Sequence, residues 1–343
     1  GDQNVAVGFE ALKTVTTASN NTALGYKALR LNTTGNANVA VGVVALSANT
    51  TAVDNTAVGY NSLGANTTGD RNTALGRNSL ASNVDGDRSV AVGYDALSNQ
   101  DPASNVDMYN TAAGYAAGAA ITTGIKNTII GGLAGDAITT GDQNVALGYA
   151  ALGANTTGVS NVAIGSLALD ANTTANYNVA VGVASLGLNT TGTQNVALGS
   201  YALDANTTAS NNTAVGYNSL GANTTGTQNV ALGYGSLDAN TTANSNTAIG
   251  YNSLGVNTTG ANNAAFGHGS LDANTTASYN TAIGYASLGL NTTGTQNVAL
   301  GSYALDANTT ADNNTAIGYA ALGVNTTGAY NVAVGSLALD ANT

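Results

Sequence analysis

The sequence predicts an all-β chain wound as a parallel β-solenoid, with about one coil per 17-residue repeat. Three observations carry this. The segment Asn144-Val145-Ala146-Leu147-Gly148 recurs along the whole chain, as Asn-Val-Ala-Ile-Gly at 161–165 and Asn-Thr-Ala-Ile-Gly at 314–318. The spacing is 17 residues from Asn4 to Ser89 and from Asn110 to Asn331, with one gap of 21 between the runs; there are 20 copies, the last cut short. Each unit opens with β-branched residues and carries Gly and an Asn-Thr-Thr corner, too short and too poor in helix formers for a helical pair.

Composition narrows the classes further. The length of 343 residues alone would suggest two or three domains. A fixed short period overrides that, because stacked units make one array. Charged residues are 7% and hydrophobic ones 43%, which excludes a solvated disordered tail. The hydrophobics are mostly Ala, Val and Leu, with no Trp and two Phe, so the core must be thin. Cysteine is absent, so neither a disulfide nor a thiolate metal site is available. No apolar run approaches the roughly 18 residues of a membrane helix. The chain opens on Gly-Asp-Gln-Asn, a junction repeated at 141–144, and stops inside a repeat at Thr343, which reads as a segment of a longer polypeptide. Net charge is −11, and all seven basic residues (Lys13, Lys27, Arg30, Arg71, Arg77, Arg88, Lys126) precede residue 127. A chain of this net charge argues against a phosphate-neutralising surface, so nucleic acid is not an expected partner.

Each unit is numbered here from its leading Asn. Positions 1 to 4 are expected to form a strand, closed by the Gly at position 5 (Gly148, Gly165, Gly182), which is present in all 20 copies. That uniformity implies positive φ or no room for a Cβ. Position 6 is often Tyr. Positions 7 to 10 suggest a second, shorter strand, with Leu at position 9 in 18 copies (Leu152, Leu169). Positions 12 to 14, Asn-Thr-Thr (Asn155, Asn172), supply the other corner, because Asn tolerates left-handed φ and bonds local backbone. Stacked coils about 4.8 Å apart would give a rod on the order of 95 Å, with ladders of identical Asn. Apolar position 4 and Leu at position 9 are expected to fill the interior. Position 3 is Ala in all but one copy (Ala146, Ala163; Ile129 is the exception), a small unvarying face that points to close approach of another chain in preference to a narrow interior.

A second rhythm overlies the first. From residue 144 the units alternate Leu-Gly-x-Asn-Thr-Thr-Gly with Leu-Asp-Ala-Asn-Thr-Thr-Ala, a doubled period of 34 that aligns Asp170, Asp204, Asp238, Asp272, Asp306 and Asp340. Duplication of a two-unit block explains it, and a 34-residue coil is the alternative. Units 4–88 are regular. Unit 89–109 carries a four-residue insertion with the only proline, Pro102, expected to bulge as a loop without breaking the stack. Units 110–143 are atypical, with Ile121 and Ile138 at the corner and Gly118 and Gly135 in place of Leu. Units 144–343 are regular and alternating.

The repeated Val-Ala-[Leu/Ile/Val]-Gly resembles the Val-Ala-Ile-Gly motif in the heads of trimeric autotransporter adhesins of the YadA type. The longer pattern Asn-Thr-Ala-Leu-Gly-Tyr…Leu…Asn-Thr-Thr-Gly is similar to repeats of phage tail fibres and related bacterial surface proteins. The resemblance covers essentially the whole chain. It implies a left-handed parallel β-roll, assembled as a homotrimer with an apolar strand face toward the axis. The period of 17 departs from the shorter adhesin-head unit.

No constellation for catalysis, cofactor or metal stands out. The single histidine, His268, occupies the Tyr position and reads as a Tyr substitute. One Asp per two units supplies too few oxygens for Ca²⁺, so the Asp file reads as a solvated acidic stripe. Fourteen Asn-Thr-Thr triplets match the N-glycosylation pattern, among them Asn155, Asn172, Asn189 and Asn206, although a turn triplet chosen for backbone geometry is preferred. The expected function is a non-enzymatic extracellular fibre or stalk on a cell or virion surface: an adhesin shaft, phage fibre or filament subunit. Its expected partners are copies of itself, as a homotrimer or a lateral or axial filament, and a host-surface glycan or protein, with no membrane insertion. The alternative is a solenoid face that binds glycan or ice.

Overall fold

In the computed structural model, which describes residues 1–340, the chain is an all-β parallel β-solenoid of about 19 turns with no helix among the described residues. Residues 341–343 lie outside the described residues. Residues 1–176 form one compact unit, and a second begins at Tyr177. In the first, three-residue strands pair in parallel from Val5–Val7 through Val162–Ile164. In the second they pair from Val179–Val181 through Val332–Val334. Partners are residues 17 apart, such as Ala146 and Ala163, so one repeat makes one coil and the 34-residue coil is excluded.

The strand occupies positions 2 to 4 only, yet hydrogen bonds between coils run around most of the circumference. In the coil that starts at Asn144, the amides of Val145, Leu152, Ala154 and Thr156 donate to Asn161, Ala168, Asp170 and Thr173 of the following coil at 2.8–2.9 Å. Those of Gly148, Ala150 and Ser160 donate to Ile130, Gly132 and Asp142 of the preceding one at 2.8–3.1 Å. Non-strand backbone is thereby satisfied without helices.

Three expectations about the coil are corrected. Positions 7 to 10 are turns, because positions 7 and 9 take left-handed φ, as at Ala150 (50°) and Leu152 (58°). Alternation therefore cannot continue past Gly148. Position 4 faces outward: Leu147, Leu198 and Leu300 are exposed. Ala at position 3 faces inward, and Ala146 and Ala163 are fully buried. The cause is room. Leu at position 9 reaches across a coil so narrow that only a methyl fits opposite it, and Leu152 and Leu169 are both 0% exposed. Left-handed φ costs a leucine about 1–2 kcal/mol, and burying its side chain gains about 1.5–3 kcal/mol, so the buried leucine holds the strained turn.

The two atypical coils obey the same volume rule by another route. An added Cβ on Gly118 would lie 3.0 Å from Ile121 Cδ1, and one on Gly135 2.8 Å from Ile138 Cδ1 and 3.1 Å from Ile129 Cδ1. Isoleucine from position 12, joined in the second coil by Ile129, fills the volume that leucine fills elsewhere. The insertion also leaves the stack intact: Val90–Val92 pairs directly with Thr111–Ala113. Its extra residues add a short parallel pair, Gly86–Asp87 with Val106–Asp107, and bury Met108. Gln100 replaces the corner Asn, donating to Asn83 Oδ1 at 3.0 Å and accepting from Asn110 Nδ2 at 3.0 Å.

Candidate interaction surfaces

Three surfaces follow from the coil. The first is the outer sheet face, positions 2 and 4. The middle residue is buried in every three-residue strand but the first, and its two neighbours are half-buried or exposed. Those outward positions hold Val, Thr, Ala, Leu, Ile and Phe266, with no charged residue in any copy. Parallel sheets are ordinarily covered on both faces. Here the inner face lies on the coil interior and the outer one is bare.

The second surface is an aromatic column at positions 6 and 7. In the second unit Tyr201, Tyr217, Tyr234, Tyr251, His268, Tyr285, Tyr303 and Tyr319 form a continuous ladder with ring centroids 5.1–6.1 Å apart. His268 stacks between Tyr251 and Tyr285 at 5.1 and 5.2 Å, in the place a tyrosine ring takes elsewhere. In the first unit Arg77 takes the same place, with its guanidinium 5.5 Å from the Tyr60 ring and 5.6 Å from that of Tyr94. This cation–π placement went unread in the sequence, although Arg77 at the Tyr position was the available signal.

Beside the ladder runs the third surface, the Asp column at position 10. The carboxylate of each Asp leans over the Gly of the coil before it. An added Cβ on Gly289 would sit 2.7 Å from Asp306 Oδ1, and one on Gly187 2.9 Å from Asp204 Oδ1. The Gly/Asp alternation is thus a steric complement. Position 16 has a similar one: Val159, Thr227 and Thr295 donate their backbone N–H to Asn176, Asn244 and Asp312 side chains of the next coil at 2.6–2.7 Å. Burial against the coil raises the carboxyl pKa of Asp170, Asp204, Asp238, Asp272 and Asp306 above the ordinary carboxylate value. Between Asp272 and Asp306 lies a shallow cleft of ≈ 250 Å³, floored by Gly269 and Gly289 and walled by His268 and Tyr285.

The corner asparagines belong to no surface. Asn155, Asn172, Asn189 and Asn206 are fully buried. Their amides donate to Gly158 O (3.1 Å), Ala175 O (3.2 Å), Gly192 O (2.9 Å) and Ala209 O (3.1 Å). Asn172 and Asn206 also donate to the Asn of the preceding coil at 2.9 and 2.8 Å. The folded chain presents none of these four nitrogens for glycosylation, and the triplet serves the turn. The second threonine of each triplet, such as Thr157 and Thr191, is exposed. The first donates its hydroxyl along the stack, as Thr156 Oγ1 does to Thr173 O at 3.1 Å.

Among the described residues no three His, Asp or Glu side chains gather as a metal site. No protein-family model matches the chain, and no curated protein matches it.

Proposed function

We propose that the chain is a non-catalytic structural segment of an extracellular fibre or stalk, assembled as a homotrimeric left-handed β-roll through its outer sheet face. The observation that supports this most is that face: uncharged in every coil, apolar throughout at position 4, and bare on a parallel sheet. The resemblance to trimeric adhesin heads and phage fibres points the same way, with positions 2 and 4 in the role first expected of Ala at position 3. Backbone bonds to both neighbouring coils suit a segment that must resist proteases and pulling while it holds another domain away from a surface. Sedimentation equilibrium tests the reading. The mass should be that of three chains, and Leu198→Lys with Leu232→Lys and Leu300→Lys should give a folded monomer. A wild-type monomer at micromolar concentration would overturn it.

The exposed threonine file favours a second reading, a face that binds glycan or ice. Thermal hysteresis, or glycan retention lost on Thr157→Val and Thr191→Val, would select it.

A further inference from the structure

The corner formed by positions 6, 7 and 10 changes sign along the chain. In the second unit it carries Asp204, Asp238, Asp272 and Asp306 beside the tyrosine ladder, and no basic residue follows Lys126. In the first five coils the same positions carry Lys13 and Arg30 at position 10, Lys27 at position 7 and Arg77 at position 6, against a single acid, Glu10. Lys13 Nζ lies 2.6 Å from Glu10 Oε1, and Arg30 Nη1 lies 3.9 Å from Oε2. One carboxylate among three cations leaves two uncompensated, and Arg30 Nε is buried without an acceptor. Arg77 is seated between ring faces. In the second unit, the Asp272 and Asp306 carboxylates flank the cleft walled by Tyr285 and His268. No hydrogen-bond donor among the described residues reaches either carboxylate.

Carboxylates beside aromatic rings are what guanidinium and ammonium groups bind, and Arg77 shows a guanidinium seated on this chain's own tyrosine column. We propose that the basic strip of the first unit in one copy docks on the tyrosine–aspartate strip of the second unit in another copy. The contact is ionic and lateral. It lies on other positions than the outer sheet face and does not depend on trimerisation through it.

Sedimentation velocity of the full chain at about 20 mM and about 500 mM NaCl tests the proposal, since salt screens such pairs. The expected result is a species at low salt that is larger than the high-salt one and dissolves as salt is added. Asp272→Lys with Asp306→Lys should abolish that species, and so should Lys27→Glu with Arg30→Glu. An equimolar mixture of the two variants should restore it, which also shows that both are folded. Survival of the species in either variant, failure of the mixture to restore it, or a mass insensitive to salt would overturn the proposal. Failure of sheet-face assembly would appear separately, as a monomer at high salt.

Discussion

At Gly148 two constraints meet on one residue. Its φ is 141°, and a Cβ there would lie 2.5 Å from the carbonyl oxygen of Gly165 in the next coil. Gly182 repeats both, at φ 136° and 2.6 Å from Gly199 O. A backbone carbonyl cannot swing aside as a side chain can, so strain and overlap add. Gly148→Ala should cost about 3 kcal/mol or more. Because stability in a stacked array is carried between neighbours, the loss should be local, seen as faster amide exchange in the coils on either side of residue 148. Unchanged protection there would mean the coils stand further apart than this close approach requires. Leu152 is the opposite case: its positive φ is strained and its burial outweighs the strain, so a leucine holds a turn position where glycine would be expected.

At the scale of the coil, much was legible in the sequence. A motif that returns every 17 residues fixes a parallel register, and Ala146 does lie beside Ala163. Asn at position 12 could be read as a corner because it bonds local backbone. What could not be read was which way the strand faces. Alternation gives two faces but not their sign when both are apolar, and Ala at position 3 with Leu at position 4 allows either. The left-handed turns at positions 7 and 9 were hidden because leucine, alanine and asparagine give no glycine signal. The Gly118–Ile121 pair was visible as an irregularity, and only the coil interior explains it. That explanation is testable as a cycle. Gly118→Leu alone should overpack against Ile121, and Ile121→Asn alone should open a cavity, each losing about 1–3 kcal/mol. The double variant restores the regular coil and should recover most of the loss, a coupling readable from denaturation midpoints. Additive losses would sink the volume argument.

For the whole chain, electrostatics sets a pH dependence opposite to that of most acidic proteins. Acid unfolding usually follows from carboxylates whose pKa is depressed by salt bridges. Here Asp170, Asp204, Asp238, Asp272 and Asp306 are raised above the ordinary 3.8 by burial. Between that value and the raised one the folded chain binds more protons than the unfolded chain, so stability falls as pH rises through the window. Among the described carboxylates Glu10, lowered first by its hydrogen bond from Lys13, works the other way, and it is a single half-buried group. Neutralising aspartates also relieves the repulsion implied by a net charge of −11. The melting midpoint by circular dichroism should therefore be higher at about pH 4.5 than at about pH 7. Asp→Asn at residues 204, 238, 272 and 306 should raise the midpoint at the higher pH and flatten the difference. A midpoint that drops on acidification would show that these carboxylates gain more from solvent or a docked cation than burial costs them.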